Sequence, residues 1–336
     1  MRISIFLSLV VLVSCSDKRD IDKLNFLKKG NQAYENNNLN EAIRFYDEAI
    51  AKDSAFVDAW NNKGLAQMQQ AKYDDAIYSF DRAIEYKPDY GEALLNNAQA
   101  NLAVHQHFAA LDQLAQLEKI WSDTSLLHFI AGLIHSEMGE DSIALADFLK
   151  AKELDSSNAE ILVNIANIYY HQHQSDNAIK YLQDAIKIDA NQSQAYNILA
   201  MVYAFQEQYE DALTAVNTAI SLDKHDAFFV NNKGYVLLQL EELVEAEENI
   251  IQSMKMDPYN GWVYRNLGLL RYAQENYSEA VRLLEKAMEI DNSIDGLYID
   301  LAKSYQQTGD KNKVCEVLAA SPENKQVAML LQELCN

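Results

Sequence analysis

VDAWNNKGLAQMQQAKYDDAIYSFDRAIEYKPDY, residues 57–90, is the stretch whose reading decides the fold. Small residues stand at Gly64, Ala76 and Ala83, bulky ones at Trp60, Tyr73 and Phe80, and Pro88 lies near the end. The spacing predicts two antiparallel helices joined by a tight turn. Small residues let the two backbones approach to about 8–10 Å, and the large ones fill the space beside them.

Working outward, the same pattern recurs with a period of 34, in nine units starting at residues 23, 57, 91, 125, 159, 193, 227, 261 and 295, with no insertion. A fixed period of this kind marks an array of supersecondary units, each burying its apolar face against its neighbours. Position 8 of the units is Gly or Ala throughout (Gly30, Gly64, Ala98, Gly132, Ala166, Ala200, Gly234, Gly268, Ala302). Position 20 is Ala in every unit but the last, which has Val314, and position 24 is always bulky. Glycines other than those at position 8 fall at unit starts (Gly91, Gly261, Gly296) or in the mid-unit turn (Gly139, Gly309). Pro88 and Pro258 lie between helices, where a missing N–H is harmless.

The pattern resembles the tetratricopeptide repeat (TPR), with Trp60, Gly64, Tyr73, Ala76, Phe80, Ala83 and Pro88 at its signature places. The resemblance implies an all-α, right-handed solenoid superhelix over residues 23–322, with a concave groove that binds protein or peptide partners. Residues 323–336 read as a capping helix, because Val327, Leu330, Leu331 and Leu334 have helical spacing and suit the open end. Departures from the pattern cluster in units three and four. His107 and Asp141 replace an aromatic, Leu117 replaces a small residue, and Trp121-Ser122-Asp123-Thr124 forms an unusual connection. This reads either as harmless drift or as a flexible joint near residue 121.

Composition narrows the function. Lys and Arg number 28 against 50 Asp and Glu, a net charge of −22, which repels phosphate backbones and excludes nucleic acid as the expected partner. The same charge points to basic partners. Every glycine is in repeat phase, so no phosphate-cradling loop is present, and no Ser or Cys nucleophile motif occurs. Asp recurs at position 31 (Asp53, Asp155, Asp189, Asp223, Asp257, Asp291), as a scaffold residue does and an active site does not. No enzyme activity and no cofactor is therefore expected. Six of the 7 histidines lie between residues 105 and 173, with His105/His107, His135 and His171/His173 near mid-unit turns. They read as turn residues and no metal site is assigned, metal handling through these turns being an alternative function. Cys315 and Cys335 lie on the last repeat and the cap, either bonded to each other or separately buried.

At the N-terminus, Met1 and Arg2 precede an apolar run over residues 3–13, too short for a bilayer. Leu12-Val13-Ser14-Cys15 resembles the lipobox of bacterial lipoproteins. That resemblance implies a cleaved signal peptide (1–14), lipidation at Cys15, a tether (15–22) and residence in the bacterial envelope. Ser16 after the Cys favours the outer membrane. The rival reading is a cytoplasmic TPR co-chaperone with a chance apolar start.

In the resembled family the first helix of each unit lines the groove, chiefly through positions 2, 5, 9, 12 and 13. Phe129, Leu133, Phe228, Asn231, Tyr235, Leu238, Trp262, Arg265, Leu269 and Tyr272 stand there, and aromatics and Arg are favoured interface anchors. Asn62, Asn96, Asn164, Asn232 and Asn266 at position 6 resemble the asparagine ladder of the O-linked N-acetylglucosamine transferase superhelix. Such a ladder pairs with the backbone of an extended peptide.

Overall fold

In the computed structural model, the backbone is described for residues 4–121, 124–322 and 325–335, and side chains for 18–121, 124–322 and 326–335. Among these residues there are nineteen α-helices and no strand. Eighteen form nine hairpins: α1 (Ser4–Glu35) with α2 (Leu39–Lys52), α3 (Val57–Gln69) with α4 (Tyr73–Tyr86), α5 (Gly91–Ala103) with α6 (His107–Glu118), and α7 (Ser125–Glu137) with α8 (Asp141–Leu154). Then come α9 (Ala159–His171) with α10 (Ser175–Ile188), α11 (Ser193–Phe205) with α12 (Tyr209–Leu222), and α13 (Ala227–Gln239) with α14 (Leu243–Met256). The series closes with α15 (Gly261–Ala273) and α16 (Tyr277–Ile290), α17 (Leu297–Thr308) and α18 (Lys311–Ala320), and the single helix α19 (Lys325–Leu334). The chain divides into two compact units, 1–156 and 157–336.

Each hairpin closes on the same device. Residues 37, 71, 105, 139, 173, 207, 241, 275 and 309 all have positive φ, although seven of the nine are not glycine. The next residue donates its N–H back to the carbonyl five residues earlier, as in Lys72 to Gln67 (2.9 Å) and Gln106 to Asn101 (2.8 Å). This Schellman closure satisfies the last carbonyls of the first helix and turns the chain.

Inside each hairpin, positions 8 and 24 are matched in size. A Cβ added at Gly30, Gly64 or Gly132 would run into the rings of Tyr46, Phe80 or Phe148. At Gly234 and Gly268 it would meet Ile250 and Leu284. Where position 8 is Ala, position 24 is Leu114, Leu182, Val216 or Leu318. Between hairpins, the recurrent Asp makes an Asx turn: Asp53, Asp189, Asp223, Asp257 and Asp291 each accept from the backbone N–H two residues on, at 2.9–3.1 Å.

Helix α1 continues without interruption through residues 15–22, the stretch expected to be a separate tether. The side chain of Cys15 lies outside the described residues, as do Ser122 and Asp123 of the unusual connection. Beside them Trp121 is seated over Gly91 at the start of α5. At the other end Val327 is buried against the last hairpin with Leu330, Leu331 and Leu334 packed around it, and Cys315 and Cys335 form a disulfide. No helix among the described residues is long and apolar enough to cross a membrane.

Candidate peptide-binding pocket

The second unit carries a concave pocket of about 600 Å³. Its walls come from α9, α11, α13 and α15, with the corner between α16 and α17 at one side. Asp226 and Asn260 cap α13 and α15, accepting from Phe228 N (2.7 Å) and Trp262 N (3.0 Å). These caps fix where each helix starts, and so set Phe228 and Trp262 at the pocket's edge. Phe228 is 49% exposed and Phe205 52% exposed, and His173 stacks on Phe205 at 4.9 Å.

A smaller recess of about 130 Å³ adjoins it, sharing Tyr170, Met201, Phe205, Asn232, Trp262 and Asp295 and adding Tyr235, Arg265 and Asn266. Burial pushes the Tyr170 hydroxyl up to about 12, with Tyr235 and Asp295 adding to the rise and Arg265 opposing it. Burial likewise raises Tyr235. Both phenols therefore stay neutral and can donate or accept. Arg265 is not a free cation: its Nε and Nη2 both donate to Asp300 Oδ2, at 2.9 and 2.8 Å, and its guanidinium lies 5.5 Å from the Trp262 ring. Burial raises Asp300 even against the pull of Arg265. With that pair neutralised, Asp291 and Asp295 leave the pocket acidic. Among the described residues no cation pairs with Asp295, whereas Asp291 Oδ1 accepts from Ser293 N and Oγ.

Four of the expected anchors line this site: Phe228, Tyr235, Trp262 and Arg265. The other expected anchors do not line this pocket. Asn231 is 1% exposed, Leu238 is buried, and Leu269 is half-buried against the same cluster. Tyr272 sits edge-on to Tyr277 at 5.2 Å. In the first unit Phe129 is buried against Phe148, and Leu133 is half-buried. Tyr170, Met201, Phe205, Asn197 and Asp295 were not singled out from sequence. The first four stand at positions 12, 9, 13 and 5 of their repeats, which are groove positions of the resembled family, so the signal existed.

The asparagines at position 6 also make bonds of their own within the array. Asn96, Asn232 and Asn266 donate to Asn61, Asn197 and Asn231 of the preceding repeat at 2.9, 2.9 and 3.1 Å, and Asn62 donates to Asn31 at 2.9 Å. Asn164 donates to its own backbone, at Glu160 O. The other four form an inter-repeat zipper. One acceptor is left over: Asn266 is 2% exposed, lines the recess, and its Oδ1 has no hydrogen-bond partner among the described residues. A buried amide oxygen in that state calls for a donor.

The histidines divide among separate contacts. His135 Nδ1 lies 2.7 Å from Asp147 Oδ2, and His171 lines the pocket beside Tyr170. His105 Nδ1 and His107 Nε2 converge on Glu137 Oε2 at 3.0 and 2.9 Å. Burial would raise the Glu137 carboxyl, but the bonds from His107 and His105 outweigh it and hold it below the usual glutamate range. Lys63 pairs with Asp47 at 2.7 Å.

Comparison with known proteins agrees with this architecture. Residues 57–90, 157–225 and 227–293 match families described as tetratricopeptide repeat, and residues 30–71 match one described as TPR repeat. The chain is similar to Tetratricopeptide repeat protein 6 of Homo sapiens, at 28% identity over 147 residues, covering 44% of this chain and 28% of that one. It is also similar to a peroxisomal targeting signal receptor of Yarrowia lipolytica, at 27% identity over 162 residues, 45% of this chain and 26% of the receptor. The chain thus spans about a quarter of the length of these relatives. Among solved structures, the APC/C hetero-tetramer Cut9-Hcn1 shares the fold, with a TM-score of 0.63 at 14% identity over 88% of this chain and 59% of the other. From period, hairpin closure and these matches together, the chain belongs to the tetratricopeptide repeat family.

Proposed function

We propose that this protein is a membrane-anchored adaptor without catalytic chemistry, which captures an extended basic segment of a partner protein in the pocket of its second unit. The observation that carries this reading is the buried, unpartnered Oδ1 of Asn266, a residue that lines the recess together with Tyr170, Tyr235 and Trp262. A peptide N–H would satisfy that oxygen. Apolar side chains would lie on Phe205, Phe228 and Trp262, and a Lys or Arg would face Asp295. Support also comes from the family, whose members bind peptides or proteins, and from a relative named as a targeting-signal receptor. The lipobox-like Leu12-Val13-Ser14-Cys15 supports the anchor, with acylation at Cys15 and the bacterial outer membrane as the site.

The test is fluorescence anisotropy of the full chain with Lys/Arg-rich peptides against Asp/Glu-rich ones of equal apolar content. Basic peptides should bind, more weakly as salt rises. Trp262→Ala with Tyr235→Ala should lower affinity at least about tenfold, as loss of anchor aromatics does. Asp295→Asn should flatten the salt dependence. Equal binding of basic and acidic peptides, or binding untouched by the aromatic pair, defeats the pocket. Acyl labelling that persists in Cys15→Ala defeats the anchor.

A further inference from the structure

At three junctions the residue at position 15 of one repeat meets the residue at position 13 of the next. Asn37 Oδ1 accepts from Gln69 Nε2 at 3.1 Å, and His173 stacks on Phe205. Between the third and fourth repeats the same place holds His105 and Glu137. His107, two residues on and the first residue of α6, reaches the same carboxylate. The ligand atoms of the three side chains all lie within 4.8 Å of one another. The positive φ of His105, shared by every hairpin turn, fixes the backbone that presents this pair.

We propose that His105, His107 and Glu137 form a binding site for a borderline divalent transition metal, with Zn²⁺ the best match. Two imidazole nitrogens and one carboxylate oxygen are the donor set that Zn²⁺ accepts at about 2.0–2.2 Å, with water completing a tetrahedron. Ca²⁺ and Mg²⁺ prefer oxygen ligands and are disfavoured by two imidazoles. Both ring nitrogens already point at one oxygen, so the ion needs small side-chain shifts and no change of fold. His105 is 76% exposed, so entry from solvent is open.

The site lies where the first unit is most loosely packed. Helices α5 and α7 scarcely touch, whereas the corresponding α3 and α5 are in contact. A cleft of about 330 Å³, lined by Leu111, Leu114, Glu118, Leu127, His128 and Asp147, opens between α6 and the α7–α8 hairpin. One ligand stands on the α5–α6 turn, one at the start of α6 and the third at the end of α7, so a bound ion staples the two hairpins across this gap.

The experiment is calorimetric titration of the tag-free, chelator-treated full chain with Zn²⁺, joined to Co²⁺ absorption spectra and thermal melts. One Zn²⁺ per chain should bind, Co²⁺ should give a tetrahedral d–d spectrum, and the ion should raise the melting temperature. His107→Ala and Glu137→Gln should each weaken binding at least about tenfold. His105→Ala, an exposed change at a turn where Ala71 is already accommodated, covers the case in which His107→Ala fails to fold. His173→Ala should leave the titration unchanged. Absence of stoichiometric binding, or several weak equivalents indifferent to His105→Ala, overturns the site.

Discussion

A single methyl added at Gly64 would press a carbon against the edge of the Phe80 ring, well inside van der Waals contact. Gly64→Ala is therefore expected to cost about 1–3 kcal/mol, the usual penalty of overpacking. Phe80→Leu should recover much of it, because Ala paired with Leu is what Ala98/Leu114 and Ala166/Leu182 already use. Urea unfolding of the two single variants and the double one checks this. The coupling should be about 0.5–3 kcal/mol, and strictly additive effects would refute the pairing. This match was legible in the sequence, since both positions carry their size in their names. The turn residue was not. Gly139 and Gly309 announce a left-handed residue, but Asn37, Ala71, His105 and Glu207 adopt the same φ because the closing hydrogen bonds of the hairpin demand it.

Single helices show a different limit. Periodicity tells which side of α13 is apolar, but positions 5 and 6 differ by only one step around the helix. Asn231 turned inward and Asn232 toward the pocket because the neighbouring hairpin donates an amide from Asn266 to the former. The pocket also gathers residues from several first helices, so that Tyr170 of α9 senses Asp295 beyond α16. Nothing in a repeat's own pattern says which distant repeat it will face. A further tie joins elements within a hairpin pair: Arg271 of α15 bonds Glu247 of α14 at 2.5 Å and holds its carboxyl below the usual glutamate range. A depressed carboxylate stabilises the fold above the unfolded pKa and loses that contribution as pH falls through the folded one. Wild type and Glu247→Gln should therefore differ in melting temperature at neutral pH and converge in acid, from about pH 5 downward. A gap that persists in strong acid would show that the contact is packing and not charge.

Across the whole molecule the exceptional features lie at the two termini. The net charge of −22 is spread over a chain whose interior is built mostly of small and aliphatic side chains. The disulfide closes a loop between residues 315 and 335, a sequence separation of 20, which in the chain-entropy model is worth about 3 kcal/mol. Reduction, or Cys315→Ser with Cys335→Ser, should loosen α19 and lower the stability of the last hairpin before the rest. Hydrogen exchange would show this as lost protection over residues 297–335. Uniform loss along the chain, or none, would refute it.

Val327 of α19 shares one buried cluster with Ile299, Leu301, Val314 and Leu318 of the last hairpin, the kind of apolar contact a tenth hairpin would make. This helix thus takes the place against the last hairpin that a further repeat would take. Without it, each molecule would offer its final hairpin as a sticky landing for another, and a discrete array would become a monomer for polymerisation.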